Sequence, residues 1–250
     1  MTSRIHSTAI VDPNAQLADD VEVGPFSIVH ANVVLAAGCR IGAYCEIGVP
    51  TDLGDGSALV IGRDALIRSH SVFYESSRFG DHLVTGHRVT VREHTIAGCD
   101  LKLGTLDDIQ GDCTIGDHVR FHSNVHIGKR SVVGNFVWIY PYAVLTNDPH
   151  PPSTVEKGVV VHDYAVVATM SVVLPGVHVG EGALVAAHAL LKTDAEPHAV
   201  YAGSPAVKIC NANRIRLQDG TQRPAYPWKT HFTRGYPEEV VQRWEQEHGE

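Results

Sequence analysis

The chain has 250 residues, 44% hydrophobic and 19% charged, with a formal net charge of −8 that leaves no basic footprint for a nucleic-acid partner. No 18-residue apolar span and no N-terminal signal stretch occurs, and Cys39, Cys45, Cys99, Cys113 and Cys210 form no C-x-x-C pair. A cytoplasmic protein of a reducing compartment, without membrane contact, is expected.

From Ile5 onward every sixth residue is aliphatic: Val11, Leu17, Val23, Val29, Leu35, Ile41 and Ile47. The series resumes at Ile61, Ile67 and Phe73, then from Val91 to Leu145, and finally from Val161 to Leu191. Neither a helix of period 3.6 nor a strand of period 2 gives such a comb. A period of six, often with Gly after the aliphatic (Ile41-Gly42, Ile115-Gly116, Val179-Gly180), predicts an all-β fold: a parallel β-helix of hexapeptide repeats, three hexads to a coil of 18 residues. Small residues such as Ser131, Ala143, Ala165 and Ser171 suit its corners.

In chain order, the repeat is predicted over residues 1–195, with loops thrown out at 48–60, 74–90 and 146–160. Residues 196–250 form a C-terminal extension, irregular over 210–236 and helical near 237–248. There Pro237 suits a first turn, Glu238 and Glu239 its positive end, and Val240 and Trp244 share a face. Repeat scaffolds commonly carry their chemistry on such insertions.

Residues 18 apart should stack about 5 Å apart, the spacing of neighbouring strands. One column is then Glu93, Gly111, Lys129 and Asn147, and the next His94, Asp112, Arg130 and Asp148. A third sets Asp108 beneath His126, both facing out, either as an acid–base pair in which the carboxylate orients the imidazole or as a solvated surface pair. Asn147-Asp148-Pro149 is either a site or an ordinary loop opener.

Residues 133–209, with Leu174-Pro175-Gly176-Val177 and Ala202-Gly203-Ser204-Pro205-Ala206, resemble the left-handed β-helix hexapeptide-repeat acyltransferases. Thr146-Asn147-Asp148 is similar to the T-N-D loop of members that N-acetylate nucleotide-linked amino sugars. Arg92-Glu93-His94-Thr95 with Ser123-Asn124-Val125 resembles their 3-amino-deoxyhexose branch. The resemblance implies a homotrimer transferring acetyl from acetyl-CoA to the amine of a dTDP- or UDP-linked deoxyamino sugar, without a metal. It implies a catalytic group drawn from Asn147, His126, His150 and Asp108, and acceptor contacts at Glu93, His94, His122, Asn124 and Asp148. Coenzyme A would lie along Ala168, Ser171 and Ala186, with Gly203, Ser204, Pro205 and Lys208 at its phosphate end.

One departure stands out. UDP-N-acetylglucosamine acyltransferases carry a His-Asp-Cys-x-x-Gly-Asn segment whose histidine is the base, and here the stretch reads Lys129-Arg130-Ser131-Val132-Val133-Gly134-Asn135. That fits an amine acceptor, which needs a base less than a hydroxyl does. The alternatives are sugar O-acetylation through His150, or a non-catalytic or zinc-binding scaffold like the γ-class carbonic anhydrases. Against zinc, only His82 and His87 show the five-residue spacing of that class.

Overall fold

In the computed structural model, which describes residues 3–248, the inward aliphatics from Ile5 to Leu191 sit in short strands of two to four residues, after which the chain turns. Stacking these turns builds a left-handed parallel β-helix with three sheets, starting at Arg4–Ile5 (first), Ile10–Val11 (second) and Gln16–Leu17 (third). The register advances by one coil of 18 residues, as in Ile109↔Ile127 on the second sheet and Ile115↔Val133 on the third. The inward residues, from Val23 to Leu191, form one continuous buried column. Burying each large aliphatic contributes about 1.5–3 kcal/mol, so the column is the main source of stability.

The corners have their own chemistry. Three residues before many inward positions the backbone enters the left-handed region, at Asp64, His70, His82, His94, Asp112, Asn124 and Arg130 among others. Two residues before the inward position sits a cramped, buried slot. Serine suits it: Ser27, Ser71 and Ser77 accept the backbone N–H of Cys45, Val89 and Thr95, one coil further on. Asp107 occupies the same slot, and its carboxylate accepts from Val125 N at 2.9 Å and Gly104 N at 2.6 Å.

Three boundaries differ from expectation. Residues 74–90 are a regular coil, not an insertion, with strands Arg78–Phe79 and Val84–Thr85. Phe79 continues the column edge-on to Phe73, while Thr85 hides its hydroxyl by donating to the Gly86 carbonyl. A polar residue in an aliphatic slot masks the repeat. The coil also runs beyond 195, because Ala199–Gly203 pairs with Leu184–Val185 and Tyr201 closes the column. The first insertion is narrower than expected, since strand persists to Val49 and resumes at Leu59.

Ala199–Gly203 turns into Ala206–Asn211 as an antiparallel hairpin. The tail then crosses the first sheet through short 3-10 turns and ends in the helix Glu238–His248, which buries Val240 and Trp244. A second apolar cluster forms there from Phe136, Val166, Trp228, Tyr236, Val240 and Trp244. Tyr236 accepts from Trp138 Nε1 at 2.8 Å, and Trp244 Nε1 donates to Tyr164 Oη at 3.2 Å. Beneath it, Arg120 donates to the Asp100 carboxylate and to the Gly235 carbonyl, and its guanidinium lies 4.8 Å from the Tyr236 ring centroid. Lys102 Nζ also reaches Gly235 O, at 3.3 Å. This buried ion pair latches the tail to the coil. All five cysteines are free, and no described helix is long and apolar enough to cross a membrane.

Candidate functional site

The second sheet carries the most chemistry on its outer face. Asp108 and His126 share one position on successive coils, paired Asp108↔His126 in register. His126 Nδ1 lies 3.0 Å from Asp108 Oδ2, and Gln110 Nε2 donates to the same oxygen at 2.7 Å. The His126 contact, aided by Gln110, holds the Asp108 carboxyl below the usual carboxylate range despite partial burial. A carboxylate so held fixes the imidazole orientation and leaves Nε2 as the free ring nitrogen. Among the described residues nothing hydrogen-bonds Nε2.

Two residues along the strand, about 7 Å away, Gly128 leaves a gap in the outward row. A Cβ there would sit 2.5 Å from the Leu145 carbonyl oxygen and 3.0 Å from Asn147 Oδ1, so the Asn147 amide lies over this glycine. Asn147 Nδ2 donates to Asp148 Oδ1 at 3.3 Å, and the loop neck is closed by Lys157 N donating to Asn147 O at 2.8 Å. Thr146 donates to Val173 O at 2.8 Å and anchors the loop root. His126 and Asn147 therefore share one face.

The corner beside that face holds Lys129, 3.4 Å from Asp112 and 3.8 Å from Glu156, and Arg130, 3.3 Å from Glu156. Lys129 is thus an ion-paired cation that ties the loop down. Glu93 is 2% exposed, and its two oxygens accept from Arg92 at 2.9 and 3.1 Å. Arg92, not Glu93, presents charge outward, 4.9 Å from the Tyr74 ring centroid. His94 lies 3.0 Å from Leu53 O and holds the first insertion. His150 is exposed on the outer loop, with no partner among the described residues. Gln110, Arg92 and Glu156 lie outside the expected contact residues; stacking at 18 residues points to Gln110, but Glu156 sits in an insertion that breaks the period.

His122 lies on the first sheet, across the corner at Asn124. It stacks on Tyr140 at 4.6 Å, and together with Trp138, Tyr226, Trp228, Phe232 and Arg234 it lines a cavity of about 330 Å³ between sheet and tail. Burial pushes the His122 imidazole down.

The expected coenzyme A residues are spread over the late coils. Ser171 is buried and donates to Ala168 O at 2.6 Å, so its hydroxyl is closed off in the corner. Ala186 N bonds Tyr201 O at 2.8 Å. Gly203 has φ +99° at the end of the hairpin's first strand, and Ser204 and Pro205 form the turn. Lys208 Nζ is neutralised by Glu196 Oε2 at 2.6 Å. No group of three or more His, Cys, Asp or Glu among the described residues is arranged to hold a metal ion.

No protein-family model matches the chain. It is 33% identical over 204 residues to the acyl-[acyl-carrier-protein]–UDP-N-acetylglucosamine O-acyltransferase of Burkholderia lata, covering 82% of this chain and 71% of that one. The enzyme of the same name from Stutzerimonas stutzeri is 28% identical over 216 residues, covering 82% and 72%. A third, from Saccharophagus degradans, is 34% identical over 131 residues, 52% of this chain, and that match spans about half (48%) of the relative. Among solved structures, Arabidopsis UDP-N-acetylglucosamine acyltransferase superposes with a TM-score of 0.59 at 19% identity, covering 83% of this chain and 74% of that one, which shows the shared fold. These relatives overturn acetyl-CoA as the expected donor, since they are named for an acyl group carried on acyl carrier protein. The chain belongs to the hexapeptide-repeat acyltransferase family that includes the acyl-[acyl-carrier-protein]–UDP-N-acetylglucosamine O-acyltransferases, and it is an acyltransferase.

Proposed function

We propose that this enzyme moves an acyl group from an acyl-carrier-protein thioester to the amine of a UDP- or dTDP-linked amino sugar, working as a homotrimer. The observation that carries the reading is the Asp108–His126 pair on one face with Asn147, beside a corner where Lys129 is locked to Asp112 and Glu156. The relatives' names supply the donor and the nucleotide-sugar class. In the transfer the neutral amine attacks the thioester carbonyl carbon, the C–S bond breaks, and the carrier's sulfur leaves as thiolate. His126 Nε2 takes the proton lost by the amine and returns it to that sulfur. Asn147 orients the amine through its side-chain oxygen. An ion-paired Lys129 is a poor base, and an amine asks less of a base than a hydroxyl does.

A hydroxyl acceptor is the second reading, favoured by the O-acyltransferase relatives and by the oriented His126 itself. Thiol release from acyl-carrier protein with UDP-N-acetylglucosamine or with amino-sugar nucleotides as acceptor separates the two. Removal of His126 is expected to lower turnover at least about 100-fold, the usual share of general-base catalysis. Full turnover by His126→Ala would sink the assignment.

A further inference from the structure

The cavity between the first sheet and the tail has no role in the transfer chemistry. Its walls are the rings of Trp138, Tyr140, Tyr226, Trp228 and Phe232, and its rim carries Arg234. Among the described residues, the His122 ring nitrogens and the Tyr140 and Tyr226 hydroxyls have no hydrogen-bond partner. Burial pushes both tyrosine hydroxyls up and the His122 imidazole down, so all three groups face the cavity uncharged. The Arg234 guanidinium rests 5.7 Å from the Phe232 centroid and forms no ion pair with a described carboxylate. Flat aromatic walls, neutral donors and acceptors within, and an unpaired cation at the mouth suit a planar heteroaromatic ring that bears an anionic substituent.

We propose that this cavity seats the nucleobase of a nucleoside diphosphate, with Arg234 on the diphosphate. The inference rests on the nucleotide-sugar reading above and extends it to a specific subsite. His122 and His126 flank the corner at Asn124, four residues apart and therefore within about 14 Å of each other. A base stacked beside His122 directs its diphosphate round that corner and its sugar toward His126, so Asn124 lies along the path.

Two of the chain's three tryptophans, Trp138 and Trp228, line the cavity, which makes occupancy readable by fluorescence. The full chain is titrated with UDP and with dTDP, following tryptophan quenching and calorimetry, with inorganic pyrophosphate as the control. One of the two nucleotides is expected to bind and quench, and pyrophosphate alone to do neither. Arg234→Ala and Tyr140→Ala should each weaken that binding tenfold or more, and Tyr140→Phe, which keeps the stack, should weaken it less. Unchanged melting temperatures without nucleotide certify that the variants fold. His126→Ala should bind the nucleotide like the wild type. Equal nucleotide affinity in Arg234→Ala and Tyr140→Ala overturns the cavity assignment, as does the absence of binding by either nucleotide. Nucleotide binding that depends on Arg234 and Tyr140, with no acyl transfer to any nucleotide sugar, upholds the cavity and overturns only the reaction.

Discussion

At the scale of single residues, Asp107 and His126 show how one repeat places groups of opposite purpose. Asp107 fills a corner slot that serine fills elsewhere, and burial holds its carboxyl up at about 7 although two backbone N–H groups favour the charge. Its folded pKa stands above the unfolded value of about 4, so the folded state binds the proton more tightly. Stability from this group is present in acid and is lost as pH rises from about 4 to about 7. Asp107→Ser should remove that slope while keeping a bridge to Val125 N, which urea melts at pH 5 and pH 8 would reveal. An unchanged slope in the variant would show that another group titrates. Asp108 behaves oppositely: its folded pKa is depressed, so its contribution is present at neutral pH and disappears as acid protonates it. Asp108 and His126 could be set side by side from numbering alone, because one coil is one strand spacing. The Arg92–Glu93 fork could not, since adjacent residues on a corner give no periodic sign of which one points out.

At the scale of elements, the insertion after Leu145 and the tail carry what the coils do not. Gly158 lies against the Arg130 backbone so closely that a Cβ would fall 1.9 Å from its carbonyl oxygen. Gly158→Ala should therefore push the loop outward, break the Glu156 contacts with Lys129 and Arg130, and lower kcat more than it lowers melting temperature. A kinetic comparison with wild type, beside a thermal melt, checks the split. The tail depends on Arg120, whose loss leaves Asp100 buried against His118 and Lys102. Arg120→Ala should cost about 3–5 kcal/mol locally and raise hydrogen exchange over residues 210–248, while the early coils, from Arg4 to Ile67, keep their protection. Uniformly faster exchange would mean that the ion pair supports the coil rather than the tail. The cavity at His122 was not legible from sequence because Phe232 and Arg234 reach it from more than 100 positions away, outside any repeat.

At the scale of the whole molecule, a period of six determines nearly everything about the architecture, because each coil meets only its neighbours and every inward residue repeats one environment. Where the comb fails at 74–90, a single buried threonine at position 85 hides a regular coil. Phe79→Ala in that coil should cost about 3–5 kcal/mol, as for other core aromatics, measured by urea unfolding; a surface-like effect would place the ring outside the column. The donor was illegible for a different reason: a thioester offers the same reacting carbonyl whatever carries its sulfur, so the transfer chemistry does not name the carrier. Acyl transfer onto the amine of a nucleotide-linked sugar is read out by thiol release from acyl-carrier protein with paired amino- and hydroxyl-sugar nucleotides. Release with the amine, lost in His126→Ala, is the predicted result; release with the hydroxyl sugar alone would contradict the amine assignment and return the chain to the chemistry for which its relatives are named.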